Sequence, residues 1–269
     1  MFALDTVIIF LVLGVVVGFF AGLLGIGGGG IMVPVLTAYF LYKNVPVDYV
    51  VHIALGTSMA SIIVTSASSL YAHHKHQGIL WGVVKSMVPG VLIGTFVATY
   101  IATHISAYAL AVFFAIFMTY VSTQMFLNVQ PKPTRKIPSR ASLMLAGSGI
   151  GAISAVVAIG GGSLTVPYLT WHNVHIKKAI GTSAAIGFPI AVAGTLGYLI
   201  NGWSSSFKQE HLFGFIYLPA VLLISFMSYF TAPLGAKLAH RLPVSALKKV
   251  FAVFLLILGI KMLMSVVQQ

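Results

Sequence analysis

The stretch Ile26-Gly-Gly-Gly-Gly-Ile-Met-Val-Pro-Val-Leu-Thr37 returns 133 residues later as Ile159-Gly-Gly-Gly-Ser-Leu-Thr-Val-Pro-Tyr-Leu-Thr170, with eight of the twelve positions identical. Gly56-Thr57-Ser58 likewise recurs as Gly181-Thr182-Ser183, at an offset of 125. The chain is therefore a duplicated unit, and each copy interrupts an apolar segment with a glycine run. In a membrane protein, paired interruptions of this kind indicate a transport site where the repeats meet.

The composition predicts a protein embedded in a lipid bilayer. Hydrophobic residues make up 59% of the chain and charged residues 7%, with a mean hydropathy of +1.02. A soluble protein of this composition has too few polar groups to cover its surface. Most of the 15 Lys and Arg lie in short gaps between apolar runs, which is typical of topology signals and not of a nucleic-acid-binding face. No nucleic-acid partner and no cofactor are expected.

Ten apolar segments are expected, all of them helical. Eight are long enough for a full crossing, which needs about 20 residues. Two shorter runs, 31–42 and 163–171, follow the glycines and rise only about 14–18 Å, roughly half the bilayer. The first segment lacks a basic leader region, so we interpret it as a retained helix and not a cleaved signal peptide. The eight long runs are 4–24, 50–72, 79–103, 106–128, 141–159, 178–200, 212–236 and 244–267.

The distribution of Lys and Arg decides whether the short runs reverse the chain. If they do not, eight basic residues lie on the cytoplasmic side and seven outside, which gives no orientation. If each short run reverses the chain, twelve lie inside and only Lys43, Lys208 and Lys261 lie outside. The second arrangement satisfies the positive-inside rule. It places the basic, proline-containing linker, 129–140, in the cytoplasm.

Five segments per repeat is an odd number, so the second repeat is predicted to run upside down relative to the first. The fold class is therefore an all-α polytopic membrane protein of two inverted repeats, with eight full spans and two half-helices. The first repeat covers 1–128 and the second 141–269. Both chain termini are expected outside the cell, and the protein is expected in the plasma (inner) membrane.

The glycine runs are expected at membrane depth, where each precedes a half-helix. The first turn of a helix has unpaired N–H groups and about half a positive charge, and glycine lets a ligand approach them closely. Two such ends facing each other near the midplane predict an anion site without a buried lysine. The residues predicted to contact the substrate are Gly27, Gly28, Gly29, Gly30, Gly160, Gly161, Gly162 and Ser163, with Thr57, Ser58, Thr182 and Ser183 as further hydroxyl donors.

Five other glycines are expected to serve helix packing and not ligand binding. They recur at fourfold spacing, which gives a helix a face of small residues that another helix can approach. These residues are Gly14, Gly18, Gly22, Gly147 and Gly151.

The two glycine–proline stretches and the two Gly-Thr-Ser motifs resemble those of the sulfite exporter TauE/SafE family. The resemblance involves both repeats and so covers essentially the whole chain. It implies transport of small anions, particularly sulfite and organosulfonates, across the plasma membrane. The copies differ where Gly30 and Met32 stand opposite Ser163 and Thr165, so the more polar second copy is expected to hold more of the ligand.

The leading hypothesis is a non-enzymatic anion transporter that works as an exporter. Asp5, Asp48 and Glu210 all fall near the outer face, and proton or sodium coupling normally uses a carboxylate within the membrane. The membrane potential alone then drives anions out, although sodium bound by carbonyls and hydroxyls stays open. The alternatives are an intramembrane serine hydrolase using Ser163 and a cation or metal permease. The anion and the oligomeric state, including a homo-oligomer, are left open.

The predicted orientation has a direct test. Topology reporters fused at residues 1 and 269 should both report a location outside the cytoplasm, because an even number of reversals returns the chain to the side where it began. A cytoplasmic signal at either terminus contradicts this threading.

Overall fold

A computed structural model describes residues 4–24, 27–127, 136–239 and 244–268. Most of the predicted linker, up to residue 135, and Arg241 lie outside the described residues. The helices are α1 Leu4–Leu24, α2 Gly29–Tyr42, α3 Val47–Lys75, α4 Trp81–Thr103, α5 Ala107–Phe126, α6 Arg140–Val157, α7 Gly162–Trp171, α8 Ile176–Trp203, α9 Leu218–Ala239 and α10 Val244–Val267. A two-residue hairpin, β1 Leu212–Phe213 and β2 Ile216–Tyr217, precedes α9.

The described residues contain eight helices that are long and apolar enough to cross a membrane. The prediction of an all-α polytopic membrane protein is confirmed. One boundary was wrong: the apolar run 212–236 does not begin as a helix, because its first six residues form the β1–β2 hairpin, in which Gly214 takes a left-handed φ of 55°. Elsewhere the half-helices α2 and α7 begin and end within a few residues of the predicted short runs.

Both half-helices end in the same way. Asn44 after α2 and Asn173 after α7 have φ values of 57° and 62°. In each case the next residue donates its N–H five residues back, from Val45 to the Phe40 carbonyl and from Val174 to the Leu169 carbonyl. This is the six-to-one bond of a Schellman cap, and asparagine tolerates the left-handed conformation that it requires. Each half-helix therefore stops at a defined residue.

The contacts between helices show in which direction each helix runs. Helix α1 runs parallel to α9, and α3 also runs parallel to α9, so α1 and α3 point the same way and α2 must return the chain between them. The contacts that fix these directions are Gly14–Ile224, Gly18–Ser228 and Gly22–Ala232 for the first pair, and Thr57–Tyr217 and Thr65–Ser228 for the second.

The second repeat repeats this arrangement upside down. Helices α6 and α8 both run parallel to α4, so α7 returns the chain there. Helix α8 runs antiparallel to α3, since Met59 meets Gly194 and Gly56 meets Tyr198. If the two repeats are exchanged, the contact of α1 with α9 becomes that of α6 with α4, and the contact of α3 with α9 becomes that of α8 with α4. The contacts α3–α8 and α5–α10 are unchanged by the exchange. All six contacts are present. The inverted repeat is confirmed.

Helices α3 and α8 form the centre of the protein. Of the apolar 18-residue window of each span, 83% is buried in α3 and 61% in α8, against 33–50% in the other spans. The outer helices present large apolar side chains to their surroundings, among them Ile93, Tyr100, Ile116, Leu145 and Leu222. Such a surface suits lipid and not water.

Glycine brings the backbones of the outer helices together, as predicted for the five packing glycines. A methyl carbon placed on Gly151 would lie 2.5 Å from the Val91 carbonyl oxygen, and one on Gly18 would lie 2.6 Å from Ser228 Cα. Both obstacles are backbone atoms, which cannot swing aside. Small residues at these positions allow the close helix approach on which packing in lipid depends.

Helix α6 offers a matched pair of glycines for a stability test. Gly151→Ala should destabilise the protein by about 1–3 kcal/mol, because the added methyl overlaps the α4 backbone. Gly149→Ala, two residues away, should leave stability unchanged or slightly higher, since nothing lies within 4 Å of an added methyl. Thermal unfolding in detergent measures both variants. Equal melting temperatures for the two would contradict the packing role.

Candidate functional site

The two glycine runs, 27–30 and 160–163, lie halfway along the central helices α3 and α8. We call them the glycine hairpins. Methyl carbons placed on Gly27 and Gly29 would lie 3.5 and 3.3 Å from the Ile62 side chain, near the midpoint of α3. One on Gly187, near the midpoint of α8, would lie 2.6 Å from the Gly160 carbonyl oxygen. A helix of 28 or 29 residues is longer than the hydrocarbon layer is thick, so its midpoint falls near the centre of the bilayer.

The hairpins also touch each other. A methyl carbon on Gly27 would lie 2.6 Å from the Gly160 nitrogen, and one on Gly29 would overlap the Ala158 carbonyl oxygen. All of the described glycines in the two runs are buried. Only glycine permits this backbone-to-backbone contact, because any side chain would force the hairpins apart. The structure therefore brings Gly27 and Gly29 of the first run against Gly160 of the second run and its neighbour Ala158, whereas Gly28, Gly30 and Gly161 face side chains of other helices.

Both half-helices start from a left-handed glycine. Gly28 has φ 80° and ψ −4°, and Gly161 has φ 76° and ψ −10°. Their carbonyls already accept the first helical bonds, from Ile31 and Met32 in α2 and from Leu164 and Thr165 in α7. The N–H groups of the first turn lack partners within their helix and carry the positive end of the helix dipole. Each hairpin thus presents donors and partial positive charge at mid-depth.

The two hairpins differ in chemistry, as their sequences indicate. The Gly30 position is filled by apolar atoms: an added methyl would lie 2.9 Å from Leu255 Cδ2 and 3.3 Å from Met118 Sδ. Its counterpart Ser163 is 9% exposed, and its hydroxyl has no hydrogen-bond partner among the described residues. Thr165 is fully buried, and its hydroxyl likewise has no hydrogen-bond partner among the described residues. The second hairpin and the first turn of α7 therefore hold two buried hydroxyls that hydrogen-bond to no other described residue.

A small cavity adjoins the place where the hairpins meet. Its volume is about 10 Å³, about the size of one water molecule. Three hydroxyl residues of α3 line it, namely Thr65, Ser66 and Ser69. Ser66 donates to the Ile62 carbonyl 2.6 Å away, whereas the buried Ser69 hydroxyl has no partner within the described part of the chain. The remaining lining residues are Ala21, Gly27, Gly160, Ala184 and Gly187.

The three α3 hydroxyl residues were not predicted from the sequence. The signal was present, since Thr65-Ser66-Ala67-Ser68-Ser69 is a polar run in the middle of an otherwise apolar helix. Hydroxyls in such helices usually bond back to their own backbone, as Thr65 and Ser66 do. The pattern alone therefore does not separate Ser69 from its neighbours.

The Gly-Thr-Ser motifs have a different environment from the hairpins. Thr57 Oγ1 accepts a hydrogen bond from the Tyr217 N–H at 3.0 Å, and Thr182 Oγ1 accepts one from the Leu80 N–H at 2.9 Å. Tyr217 and Leu80 are the residues just before α9 and α4. Each threonine thus fastens the start of a helix that belongs to the other repeat. We call these two bonds the crossed latches.

Glycine makes room for each crossed latch. A methyl on Gly56 would overlap the Phe215 carbonyl, and one on Gly181 would overlap the Gly78 carbonyl. Thr57 and Thr182 lie five residues from Ile62 and Gly187, about 7.5 Å along their helices from the hairpins. Ser58 is buried without a partner among the described residues, and Ser183 donates to the Ile180 carbonyl. A ligand role for these four residues stays a prediction.

The comparisons with known proteins agree with the geometry. The profile of the family described as "Sulfite exporter TauE/SafE" matches residues 10–262. A "Probable membrane transporter protein" of Haemophilus influenzae is 37% identical over 257 residues, which is 95% of this chain and 97% of that protein. The chain belongs to the TauE/SafE family.

More distant relatives carry the same description. A "Probable membrane transporter protein" of Methanocaldococcus jannaschii is 24% identical over 260 residues, 94% of each chain. Another, YdhB of Bacillus subtilis, is 23% identical over 257 residues, 93% of this chain and 94% of that one. No solved structure matches this TauE/SafE chain. The protein is a multi-pass membrane transporter by family.

The side chains needed for the other hypotheses lie away from the hairpins. Asp5, Asp48 and Glu210 are all exposed, at the starts of α1 and α3 and just before the β1–β2 hairpin. In the described ranges, no group of three or more His, Asp or Glu side chains is arranged to hold a metal ion. His52 is bound by the Asp48, Ala102 and Ile105 carbonyls near the start of α3. No described histidine hydrogen-bonds to Ser163.

The crossed latches predict a stability effect. Thr57→Val and Thr182→Val preserve side-chain shape but leave a buried N–H without its acceptor, which costs about 1–3 kcal/mol. Each valine variant should therefore unfold at a lower temperature in detergent, whereas Thr57→Ser and Thr182→Ser, which keep the hydroxyl, should unfold nearer to the wild type. Valine variants as stable as their serine counterparts would show that the two bonds contribute nothing.

Proposed function

We propose that this TauE/SafE protein exports a small oxyanion, such as sulfite or an organosulfonate, through the contact between the two glycine hairpins. The observation that supports this most strongly is the meeting of Gly27 with Gly160 at mid-depth, with a half-helix starting on each side. In this proposal the protein lies in the plasma membrane with both termini outside. The substrate contacts the hairpin backbone from Gly27 to Gly30 and from Gly160 to Ser163.

Electrostatics favour an anion at this position. Each half-helix N-terminus carries about half a positive charge, and two of them act on the same place. Their N–H groups replace part of the hydration shell of an oxyanion. The hydroxyls of Ser163 and Ser69, which bond to none of the described residues, add donors. No carboxylate lies at this depth, since the three acidic residues of the chain are exposed near helix ends. A cation would meet the wrong end of both dipoles.

The size of the cavity implies that the hairpins move. A space of about 10 Å³ holds one water molecule but not an oxyanion of four or more heavy atoms. Transport then requires Gly27 and Gly160 to separate, and the described conformation is the closed one. Left-handed glycines at positions 28 and 161 are suited to such a hinge, because their backbone changes conformation at low cost.

Two features support export. The cavity lies on the side of the hairpins toward the C-terminal end of α3, which the distribution of basic residues assigns to the cytoplasm. The positions equivalent to Ser66 and Ser69 on the other side of the hairpins are Ala191 and Gly194, so the polar approach exists on one side only. A negative-inside potential pushes an anion outward by about 2.3 kcal/mol per charge for each 100 mV.

Flux into proteoliposomes tests this function. Uptake of sulfite, sulfate, thiosulfate and a small sulfonate is compared with and without an imposed inside-positive potential. The preferred anion should enter faster as this potential is raised. Ser163→Ala should lower its transport about tenfold or more, since a hydroxyl donating to a charged group contributes roughly 1.5–3 kcal/mol. Gly161→Leu should abolish transport, because the side chain collides with Ile190 at the start of the second half-helix and opposes the left-handed backbone.

The controls use residues of similar type away from the hairpins. Ser86→Ala removes a hydroxyl that bonds only to its own helix, and Gly149→Leu adds a side chain in open space; both should transport normally. Flux of every tested anion that ignores the potential would overturn the potential-driven mechanism. Normal flux in both Ser163→Ala and Gly161→Leu would overturn the hairpin site.

A further inference from the structure

A second and much larger cavity lies between α3 and α9, away from the hairpins. Its volume is about 740 Å³, and it opens on the outer surface of the helix bundle. It is lined by Ser68, Tyr71 and Lys75 of α3 on one wall and by Tyr229, Phe230 and Lys237 of α9 on the other. The hairpin cavity is lined by Thr65, Ser66 and Ser69 of the same helix, and the two cavities have no lining residue in common. The two cavities are therefore separate, and we call the larger one the α3–α9 groove.

The α3–α9 groove has an apolar part and a cationic end. Tyr71, Tyr229 and Phe230 are 70%, 56% and 57% exposed, so their rings form open walls. Lys75 is the last residue of α3 and Lys237 lies two residues from the end of α9. Because the two helices run parallel, both lysines lie at the same surface of the membrane. His76, next to Lys75, also lines this end.

The lysines of the groove have no acidic side chain to neutralise them. The three acidic residues of the chain, Asp5, Asp48 and Glu210, precede or begin helices α1, α3 and α9. These helices are parallel, so all three carboxylates lie at the opposite membrane surface from Lys75 and Lys237. The positive charge at this end of the groove is therefore available to an external anion.

The duplication provides an internal comparison. The equivalent surface of the other copy lies between α8 and α4, at offsets of 125 from α3 and 137 between α4 and α9. There the positions of Lys75, His76 and Lys237 are occupied by Ile200, Asn201 and Tyr100. The positive-inside rule accounts for the sign of this difference, but it does not require three basic residues to converge on one groove.

We infer that the α3–α9 groove binds an anionic phospholipid of the cytoplasmic leaflet. The phosphate lies against Lys75 and Lys237, and an acyl chain follows the wall formed by Tyr71 and Phe230. Basic grooves between helices at the cytoplasmic surface are suited to acidic headgroups. A free anion uses only the cationic end, whereas a lipid also covers the aromatic walls. This site is independent of the hairpin site and of which anion is transported.

Native mass spectrometry of the detergent-purified protein, titrated with phosphatidylglycerol or phosphatidylcholine, tests the inference. The wild type should retain phosphatidylglycerol preferentially. Lys75→Ala/Lys237→Ala should weaken its binding by roughly tenfold or more and remove the preference. The matched control is Lys177→Ala/Lys178→Ala, which removes two exposed lysines from the same surface at the start of α8. It should bind phosphatidylglycerol like the wild type.

Two results would overturn the inference. If both double variants lose phosphatidylglycerol equally, the preference reflects general surface charge and not the groove. If inorganic phosphate at millimolar concentration displaces the lipid completely, the cationic end binds free anions and the aromatic walls contribute nothing. A second variant, Phe230→Ala, keeps both lysines and should reduce retention of phosphatidylglycerol while leaving the melting temperature without lipid close to that of the wild type.

Discussion

Lipid offers no hydrogen-bond partner to a peptide group, and this constraint governs the whole architecture. Breaking a helix halfway through the bilayer exposes N–H and carbonyl groups that lipid cannot satisfy. In this protein two helical segments are interrupted at the same depth. The two interruptions pack against each other and against α3 and α8, which shields their backbone from lipid. Gly27 meets Gly160, and Gly29 meets Ala158, with no side chain between them. The central helices are the most buried because they enclose this irregular backbone.

Glycine also allows the outer helices to pack closely against one another. Lipid supplies little hydrophobic drive for one apolar helix to bind another, so close packing has to hold the bundle together. Gly18 and Gly151 let α1 meet α9 and α6 meet α4 at backbone distance. Glycine therefore has two uses in this chain: on the outer helices it removes bulk from a regular backbone, and at positions 28 and 161 it permits a left-handed one.

Sequence repetition and charge predicted most of the fold. The glycine runs located the half-helices, and the count of basic residues selected five segments per repeat, because these signals are local or additive along the chain. The sequence pattern predicts helix for the β1–β2 hairpin, 212–217, since its apolar composition does not differ from that of a span. The roles of Thr57 and Thr182 depend on partners 160 and 102 residues away, which no local pattern reveals. Ser69 was missed because it resembles its self-bonded neighbours.

The crossed latches also bear on the order in which the chain assembles during synthesis. Thr57 leaves the ribosome long before Tyr217, and Leu80 long before Thr182, so the first half inserts with both of its bonds unmade. Only when the loop before α9 is in place can the last of them close. Maturation of the first half thus waits for almost the entire polypeptide, and a ribosome stalled midway would leave a half-molecule open to proteolytic quality control.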